Sequence, residues 1–454
     1  MYGSVKRRRQ VLQRFLSLFL TAWVCACGGA APPARALALD AAAESYVRLV
    51  LALGERDADS LDIYYGPRAW QTEARTQRTS LSDIRTAAGR LVQSLDAMRV
   101  NNADESRRLF LIRQTRAIVS RIDIVRGARP LFAEEVRLLF GLDGWDGPAF
   151  AADAASARQA GHDGKADTVY AELERLLPGT GNLSARYADF DRRFLIPRDR
   201  LAAVLTRAID GCRVATREHV TLPIGDRVDI EYVPDLAWSA YTRYQGQSTS
   251  RIQINSALPL TVDRALDLAC HEAYPGHHTI DTLLDARAGG RRVELFVRPL
   301  FSPQSLLHEA ASSMASELAF PGPSRLAFER DELFPLAGFE AADADRHVRV
   351  GRLVDQLHGV QADITRRYLD GELDFPRASA AFEREALMPS ADDTLKFLNR
   401  FRTYAATYTA GRDALARYLN AHSTAGDDGT SRWRAYTNVV TDPSQIVPSE
   451  APRK

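Results

Sequence analysis

The sequence contains few cysteines, and this scarcity limits the kind of fold that it can form. Its 454 residues include only four cysteines, at positions 25, 27, 212 and 270. So small a number excludes a scaffold held mainly by disulfides. An exported protein could still join Cys212 to Cys270, but nothing in the sequence indicates that these two residues approach one another. We therefore expect two buried free thiols.

An excess of charge of one sign is also missing. The formal net charge is +1, whereas a nucleic-acid-binding protein needs a concentrated basic surface. We therefore predict no nucleic-acid partner. The composition, 45% hydrophobic and 26% charged, is typical of a globular protein. No linker divides the chain, and no pattern indicates its oligomeric state.

Long hydrophobic runs are absent beyond the N-terminus, which resembles an export signal. Basic residues between positions 6 and 14 precede the apolar segment Phe15 to Ala26, which is too short to span a bilayer comfortably. Residues 24–27 resemble a lipoprotein cleavage box, with a signal over 1–26 and lipidation of Cys27. Residues 36–38 offer ordinary cleavage instead, with a signal and leader over 1–38. The protein is expected to be periplasmic or lipid-anchored to the cell envelope through Cys27.

The hydrophobic pattern predicts a mainly α fold with a small antiparallel β-sheet. Apolar residues recur at helical spacing over most of residues 40–425, which we interpret as one large helical domain. Two segments alternate strictly, Arg227 to Val233 and Arg251 to Asn255, and these predict two strands of the sheet. Residues 34–43 are predicted to form a flexible spacer, and residues 426–454 a polar, loosely attached tail.

One segment carries an unusual concentration of metal-binding chemistry. Three of the nine histidines fall within eight residues, in the run His271-Glu272-Ala273-Tyr274-Pro275-Gly276-His277-His278. Neutral imidazole is the commonest protein ligand for zinc-like metals. A glutamate directly after the first ligand can act as general base towards a water molecule at such a metal. The segment therefore predicts a metallohydrolase centre with one divalent ion, which we expect to be Zn²⁺.

The proline and glycine of this segment require a bend. In the common H-E-x-x-H pattern both histidines lie one turn apart on a straight helix. In a straight helix here, His277 would lie off the face of His271, and His278 would sit about 10 Å along the axis. Pro275 ends or kinks a helix, and Gly276 permits unusual backbone angles. The pair is predicted to return either His277 or His278 towards the metal.

Further site residues are expected from later elements. Glu309 is the preferred third ligand, because it is followed by a run of small residues that lets two helices approach closely. Glu317 is the weaker candidate. Tyr408 is the candidate donor to the oxyanion of a tetrahedral intermediate. Arg412, one turn further on, is a candidate substrate-binding residue. Strand 251–255 could pair with an extended peptide, with Asn255 closest to the site.

The same motifs resemble a bacterial family known as domain of unknown function 885. The segment from His271 to His278 resembles its H-E-x-x-P-G-H-H signature. Phe132 to Gly141 resembles F-x-x-E-x-x-x-L-F-G, and Arg298 to Glu309 resembles the stretch before the family's glutamate. Tyr408 to Gly411 resembles a late Y-x-x-G motif. The family usually continues its glutamate with glycine, whereas this chain has Ala310.

The resemblance implies a gluzincin-like zinc metallopeptidase. His271 and His277 would be metal ligands with Glu309 as the third, and Glu272 would be the general base. His278 would lie behind the ligands or face the substrate. The expected activity is hydrolysis of short peptides. The alternatives are a metal-dependent hydrolase or lyase acting on a non-peptide substrate, and a non-catalytic surface lipoprotein.

Overall fold

The computed structural model describes residues 34–142, 164–234, 238–289, 291–389, 391–424, 426–427 and 429–443. Among these residues no helix is both long and apolar enough to cross a membrane. Residues 1–33, which contain most of the predicted export signal and Cys27, lie outside the described residues.

Helices dominate the described part of the chain, which confirms the mainly α fold class. Several short 3₁₀ turns connect them. The α-helices are α1 (Ala34–Gly54), α2 (Arg68–Gln77), α3 (Leu81–Ala97), α4 (Asn102–Val125), α5 (Phe132–Phe140), α6 (Gly164–Leu176), α7 (Leu183–Asp191), α8 (Leu201–Arg217), α9 (Val262–Glu272), α10 (His277–Ala288), α11 (Pro303–Ser313), α12 (Ala315–Ala319), α13 (Pro323–Phe328), α14 (Phe334–Ala337), α15 (Ala344–Asp355), α16 (His358–Leu369), α17 (Phe375–Arg384), α18 (Ala391–Phe401), α19 (Ala410–Ala421) and α20 (Thr430–Thr441).

The first helix begins earlier than the sequence suggested. Helix α1 starts at Ala34 and packs with α3 and α4 around one hydrophobic core. Leu39 and Ala43 are buried in that core together with Tyr46 and Val50. The prediction of a flexible spacer over residues 34–43 is therefore wrong, because its apolar side chains continue the buried face of the helix.

Two small sheets complete the fold. Strands β1 (Leu61–Tyr64) and β5 (Val297–Pro299) pair antiparallel. Strands β2 (Arg227–Val233), β3 (Ala240–Tyr244) and β4 (Thr249–Asn255) form a mixed sheet in the order β2-β4-β3. The two predicted strands, β2 and β4, are parallel rather than antiparallel. The reason is β3, which reverses the chain between them and pairs antiparallel with β4.

The C-terminal segment packs onto the fold instead of hanging free. Helix α20 buries Trp433, Tyr436 and Val440 against α10 and α11. The Tyr436 hydroxyl donates to the carbonyl of Pro275 at 2.9 Å. The prediction of a loosely attached tail is thus wrong for residues 430–441. The segment is polar on average, but its aromatic and β-branched side chains lie on one buried face of the helix. Residues 444–454 lie outside the described part.

A disulfide joins Cys212 of α8 to Cys270 of α9, so the prediction of free thiols is wrong. The two helices pack side by side in one core and bring the Cα atoms to 5.5 Å from each other. This separation lies within the range that a disulfide requires. Because Cys270 directly precedes His271, the bridge anchors the helix that carries the first histidine.

Replacing both cysteines by alanine is expected to lower the free energy of unfolding by about 2–4 kcal/mol, because the bridge closes a long loop in the unfolded chain. Urea unfolding of the oxidised protein and of the Cys212→Ala/Cys270→Ala variant measures the difference. The unaltered protein with a reducing agent is the control and should approach the variant. Equal midpoints for oxidised protein and variant would show that the bridge adds no stability.

Candidate metal centre

The predicted bend lies between α9 and α10. Helix α9 ends at Glu272 and α10 begins at His277. The Gly276 amide donates to the carbonyl of Cys270 at 3.0 Å, so the turn folds directly onto the end of α9. A Cβ atom at Gly276 would lie 1.8 Å from the carbonyl oxygen of His271. Only glycine leaves room for this close approach of two backbone segments.

The bend brings His277, rather than His278, to His271 and Glu309. Nε2 of His271 lies 3.4 Å from Oε2 of Glu309, and Nε2 of His277 lies 3.3 Å from Oε1 of the same carboxylate. One ligand atom from each residue lies within 4.8 Å of the other two. Helix α11 supplies the glutamate, α9 the first histidine and α10 the second, so three elements converge on one point.

This donor set fits a zinc ion. Catalytic zinc takes three nitrogen or oxygen ligands from the protein at about 2.0–2.2 Å, and tetrahedral ligands at that distance lie about 3.3–3.6 Å from each other. The two histidine nitrogens lie 3.4 and 3.3 Å from different oxygens of the Glu309 carboxylate. One ligand atom from each residue lies within 4.8 Å of the others, so small side-chain movements would bring the three to this spacing. The side chain of His271 is 19% exposed, whereas those of His277 and Glu309 are nearly buried. Solvent therefore reaches the centre from the His271 side.

The charges of the centre also favour a cation. Burial opposes the charged form of His277, but the facing carboxylate of Glu309 outweighs burial and raises the pKa of His277 to about 9. Burial alone would raise the pKa of Glu309, yet the two histidines hold it well below its ordinary value of 4.5. The buried carboxylate therefore favours positive charge at this point. A bound cation would supply it with neutral imidazoles as ligands.

Glu272 is held beside the ligands by a strand residue. Only 6% of Glu272 is exposed. The hydroxyl of Thr242 on β3 lies 2.6 Å from Oε2 of Glu272. Thr242 was missed in the sequence because its segment was read as a loop, although the run of tyrosine and threonine in residues 240–244 has high strand propensity.

Two tyrosines, Tyr408 and Tyr404, lie close to the centre. The ring of Tyr408 lies 6.3 Å from that of His271, and the ring of Tyr404 lies 5.8 Å from that of Tyr408. Although Tyr408 is 37% exposed, the pKa of its phenol is held well above its ordinary value of 10, because protein surrounds the hydroxyl and the carboxylates of Glu309 and Glu272 face it. Burial and Glu309 also raise the pKa of Tyr404. Tyr404 was not anticipated from the sequence.

His278 points away from the ligand cluster. Its Nδ1 lies 2.8 Å from the hydroxyl of Ser250, and its Nε2 lies 3.7 Å from Oδ2 of Asp226. The residue is 0% exposed. Such burial leaves no surface for a substrate, so the prediction that His278 could bind substrate is wrong. Its contacts instead fix the first turn of α10 to β4.

Asn255 and Arg412 do not join the ligand cluster either. Asn255 is buried, and its side-chain oxygen accepts a hydrogen bond from the amide of Ala257 at 3.0 Å. Its strand, β4, is central in the sheet, so it has no open edge for a peptide, and that prediction is wrong. Arg412 is partly exposed and pairs with Glu317, the weaker ligand candidate.

A buried charged network supports the centre from behind. Arg298 on β5 is 3% exposed and donates to Asp62 and Asp281, each at 2.7 Å. It also donates to Nδ1 of His308, the residue before Glu309. Burial and the Arg298 charge lower the pKa of His308, which stays neutral. The network joins β1, β5, α10 and α11, and so fixes the elements that carry His277 and Glu309.

Replacing Gly276 by alanine is expected to destabilise the protein by about 3 kcal/mol or more, since the added methyl would overlap backbone that has no room to move. Thermal unfolding and zinc content measure the effect. The control is Gly89→Ala in α3, where a Cβ meets no atom within 4 Å. That helical change should stabilise the chain by up to about 1 kcal/mol. Equal stability of the two variants would contradict the described bend.

Comparison with known proteins finds solved structures of low sequence identity to this chain. No family model matches the chain, and no curated protein matches it. Among solved structures, one named BsuCP has 11% identity, covers 90% of each chain and gives a TM-score of 0.49. A putative lipoprotein from Colwellia psychrerythraea has 15% identity and a TM-score of 0.47, and the match covers 80% of this chain and 69% of the lipoprotein chain. A carboxypeptidase from Pyrococcus furiosus has 14% identity, covers 90% of each chain and gives 0.38. Likeness of this degree supports no conclusion about activity.

Proposed function

We propose that the protein is a zinc-dependent peptidase. The observation that carries the proposal is the convergence of His271, His277 and Glu309, with Glu272 held beside them. A zinc ion at this position would acidify a water molecule and polarise the substrate carbonyl. The three ligands leave one side open to solvent, which is the arrangement of catalytic rather than structural zinc sites.

The remaining roles fall to the surrounding side chains. Glu272 takes the proton of the attacking water and delivers it to the leaving amine. Tyr408 donates its phenolic proton in a hydrogen bond to the developing oxyanion, since its raised pKa keeps the hydroxyl protonated. Arg412, one turn further along the chain, offers a positive charge to polar groups of the substrate.

The edge of β3 favours a peptide over a non-peptide substrate. Strand β3 pairs only with β4 among the described strands, so its second edge, next to Thr242, is not paired with another described strand. An extended peptide that pairs with this edge would pass Glu272. A substrate peptide would therefore pair with β3 instead of β4.

We also propose that the protein is exported, with the N-terminal segment as its signal. The disulfide between Cys212 and Cys270 supports this, because such bridges persist in oxidising compartments. Mass spectrometry of the mature N-terminus from the native host decides between lipidated Cys27 and cleavage after Ala38. A mature protein that retains residues 1–26 would contradict export.

Hydrolysis of a peptide library tests the activity. The protein is expected to hold one zinc ion per chain and to cleave short peptides, and a chelator should abolish cleavage. Zinc added back should restore it. Metal-independent cleavage would refute the proposal. A zinc-loaded protein that cleaves no peptide would favour a non-peptide substrate or a non-catalytic role.

A further inference from the structure

The hydroxyl of Thr242 faces two oxygens of the same residue. It lies 2.6 Å from Oε2 of Glu272 and 2.9 Å from the backbone carbonyl oxygen of Glu272. Thr242 is 2% exposed, and Glu272 is 6% exposed. No solvent therefore competes for the hydroxyl. Its position is fixed by the pairing of Thr242 with Ile252 on the neighbouring strand.

A hydroxyl group carries one hydrogen and two lone pairs, so it cannot donate to both oxygens at once. When Glu272 is a carboxylate, Thr242 donates to Oε2, and this charge-assisted bond is the stronger choice. The backbone carbonyl of Glu272 is also within reach of the hydroxyl, so Thr242 contacts both the side chain and the backbone of this residue. The bond to Oε2 leaves Oε1 of the carboxylate free to face the water molecule.

The proposed reaction uses Glu272 twice. The attacking water gives one proton to Glu272, while its oxygen bonds to the carbonyl carbon of the substrate. The carbon–nitrogen bond then breaks, and Glu272 returns the proton to the leaving nitrogen. A general base without this hydrogen bond could rotate away from the water molecule and from the leaving nitrogen. A misplacement of 1 Å can cost about 100-fold in rate.

We propose that Thr242 is a positioning residue, whose hydroxyl holds the side chain of Glu272 in the orientation that the reaction requires. This inference rests on the proposed peptidase function. It assigns to the edge strand β3 a role in the chemical step in addition to any pairing with substrate. Both printed bonds of the Thr242 hydroxyl go to Glu272, so the hydroxyl acts on the reaction through that residue.

Thr242→Val tests the proposal, because valine keeps the shape of threonine and removes only the hydroxyl. The expected result is a fall in kcat of about 100-fold, with KM, zinc content and the unfolding temperature nearly unchanged. Thr242→Ser keeps the hydroxyl and should restore most of kcat. If the valine variant does not fold, Thr242→Ala removes the same hydroxyl and should show the same loss.

The matched control is Thr282→Val in α10. Thr282 is also fully buried, and its hydroxyl has no hydrogen-bond partner among the described residues, so its kcat should stay unchanged. A Thr242→Val variant with normal kcat, beside an inactive Glu272→Gln variant, would overturn the positioning role alone. An equal loss in the serine and valine variants would overturn it as well. An active Glu272→Gln variant would instead overturn the proposed function itself.

Discussion

Replacing Glu272 by glutamine is expected to lower kcat for peptide hydrolysis by about 10²- to 10⁴-fold, the usual contribution of a general base. Glutamine keeps the size of the side chain and can still accept a hydrogen bond from Thr242. It cannot take a proton from water. Because Glu272 lies outside the cluster of three ligands, the variant should bind zinc as the unaltered protein does.

Steady-state kinetics and zinc content, measured on the same preparation, separate these effects. Glu231→Gln is a suitable control, since Glu231 is exposed on β2 and contacts Gln253 rather than the metal centre. The control should retain full kcat and full zinc. A Glu272→Gln variant that retains kcat would show that another group acts as the base. A variant that loses its zinc would show that Glu272 is itself a ligand.

Replacing Glu309 by glutamine is expected to lower zinc affinity more than 100-fold, since loss of a residue that merely orients a ligand already costs about 10- to 100-fold. The carboxylate of Glu309 faces both His271 and His277. Its loss removes the negative charge that balances the ion and one of three protein ligands. Competition with a zinc chelator at fixed pH measures the affinity.

Glu317→Gln is the matched control, because Glu317 lies on the adjoining helix α12 and pairs with Arg412 at the surface. Its zinc affinity should equal that of the unaltered protein. Thermal unfolding gives an independent readout, because a ligand that binds only the folded state raises its stability. Zinc should therefore raise the unfolding temperature of Glu317→Gln but not of Glu309→Gln. The opposite pattern would identify Glu317 as the ligand.

Local sequence signals identified the candidate ligands, since most of this chemistry is concentrated in one short segment, and the structure places His271, His277 and Glu309 together. Pro275 and Gly276 required a bend, and the bend is present. Sequence alone could not choose between His277 and His278, because that choice depends on the contacts of His278 with Ser250 and Asp226. These partners come from a distant loop and strand, which spacing along the chain cannot reveal.

The elements that were missed depend on tertiary contacts in the same way. Strand β3 looked like a polar loop, yet it sets the direction of β4 and supplies Thr242. Cys212 and Cys270 are 58 residues apart, and only the packing of α8 on α9 brings them together. Helix α20 was not predicted, because it depends on the core in which Trp433 and Tyr436 are buried. Mean composition hid the apolar face of that helix.

The most direct test of the metal centre is a crystal structure of the zinc-soaked protein with anomalous data at the zinc edge. We expect one strong anomalous peak at about 2.0–2.2 Å from Nε2 of His271, Nε2 of His277 and a carboxylate oxygen of Glu309. A peak bound by His278 in place of His277 would contradict the described bend. The absence of any peak between these three side chains would contradict the zinc centre and the proposed function with it.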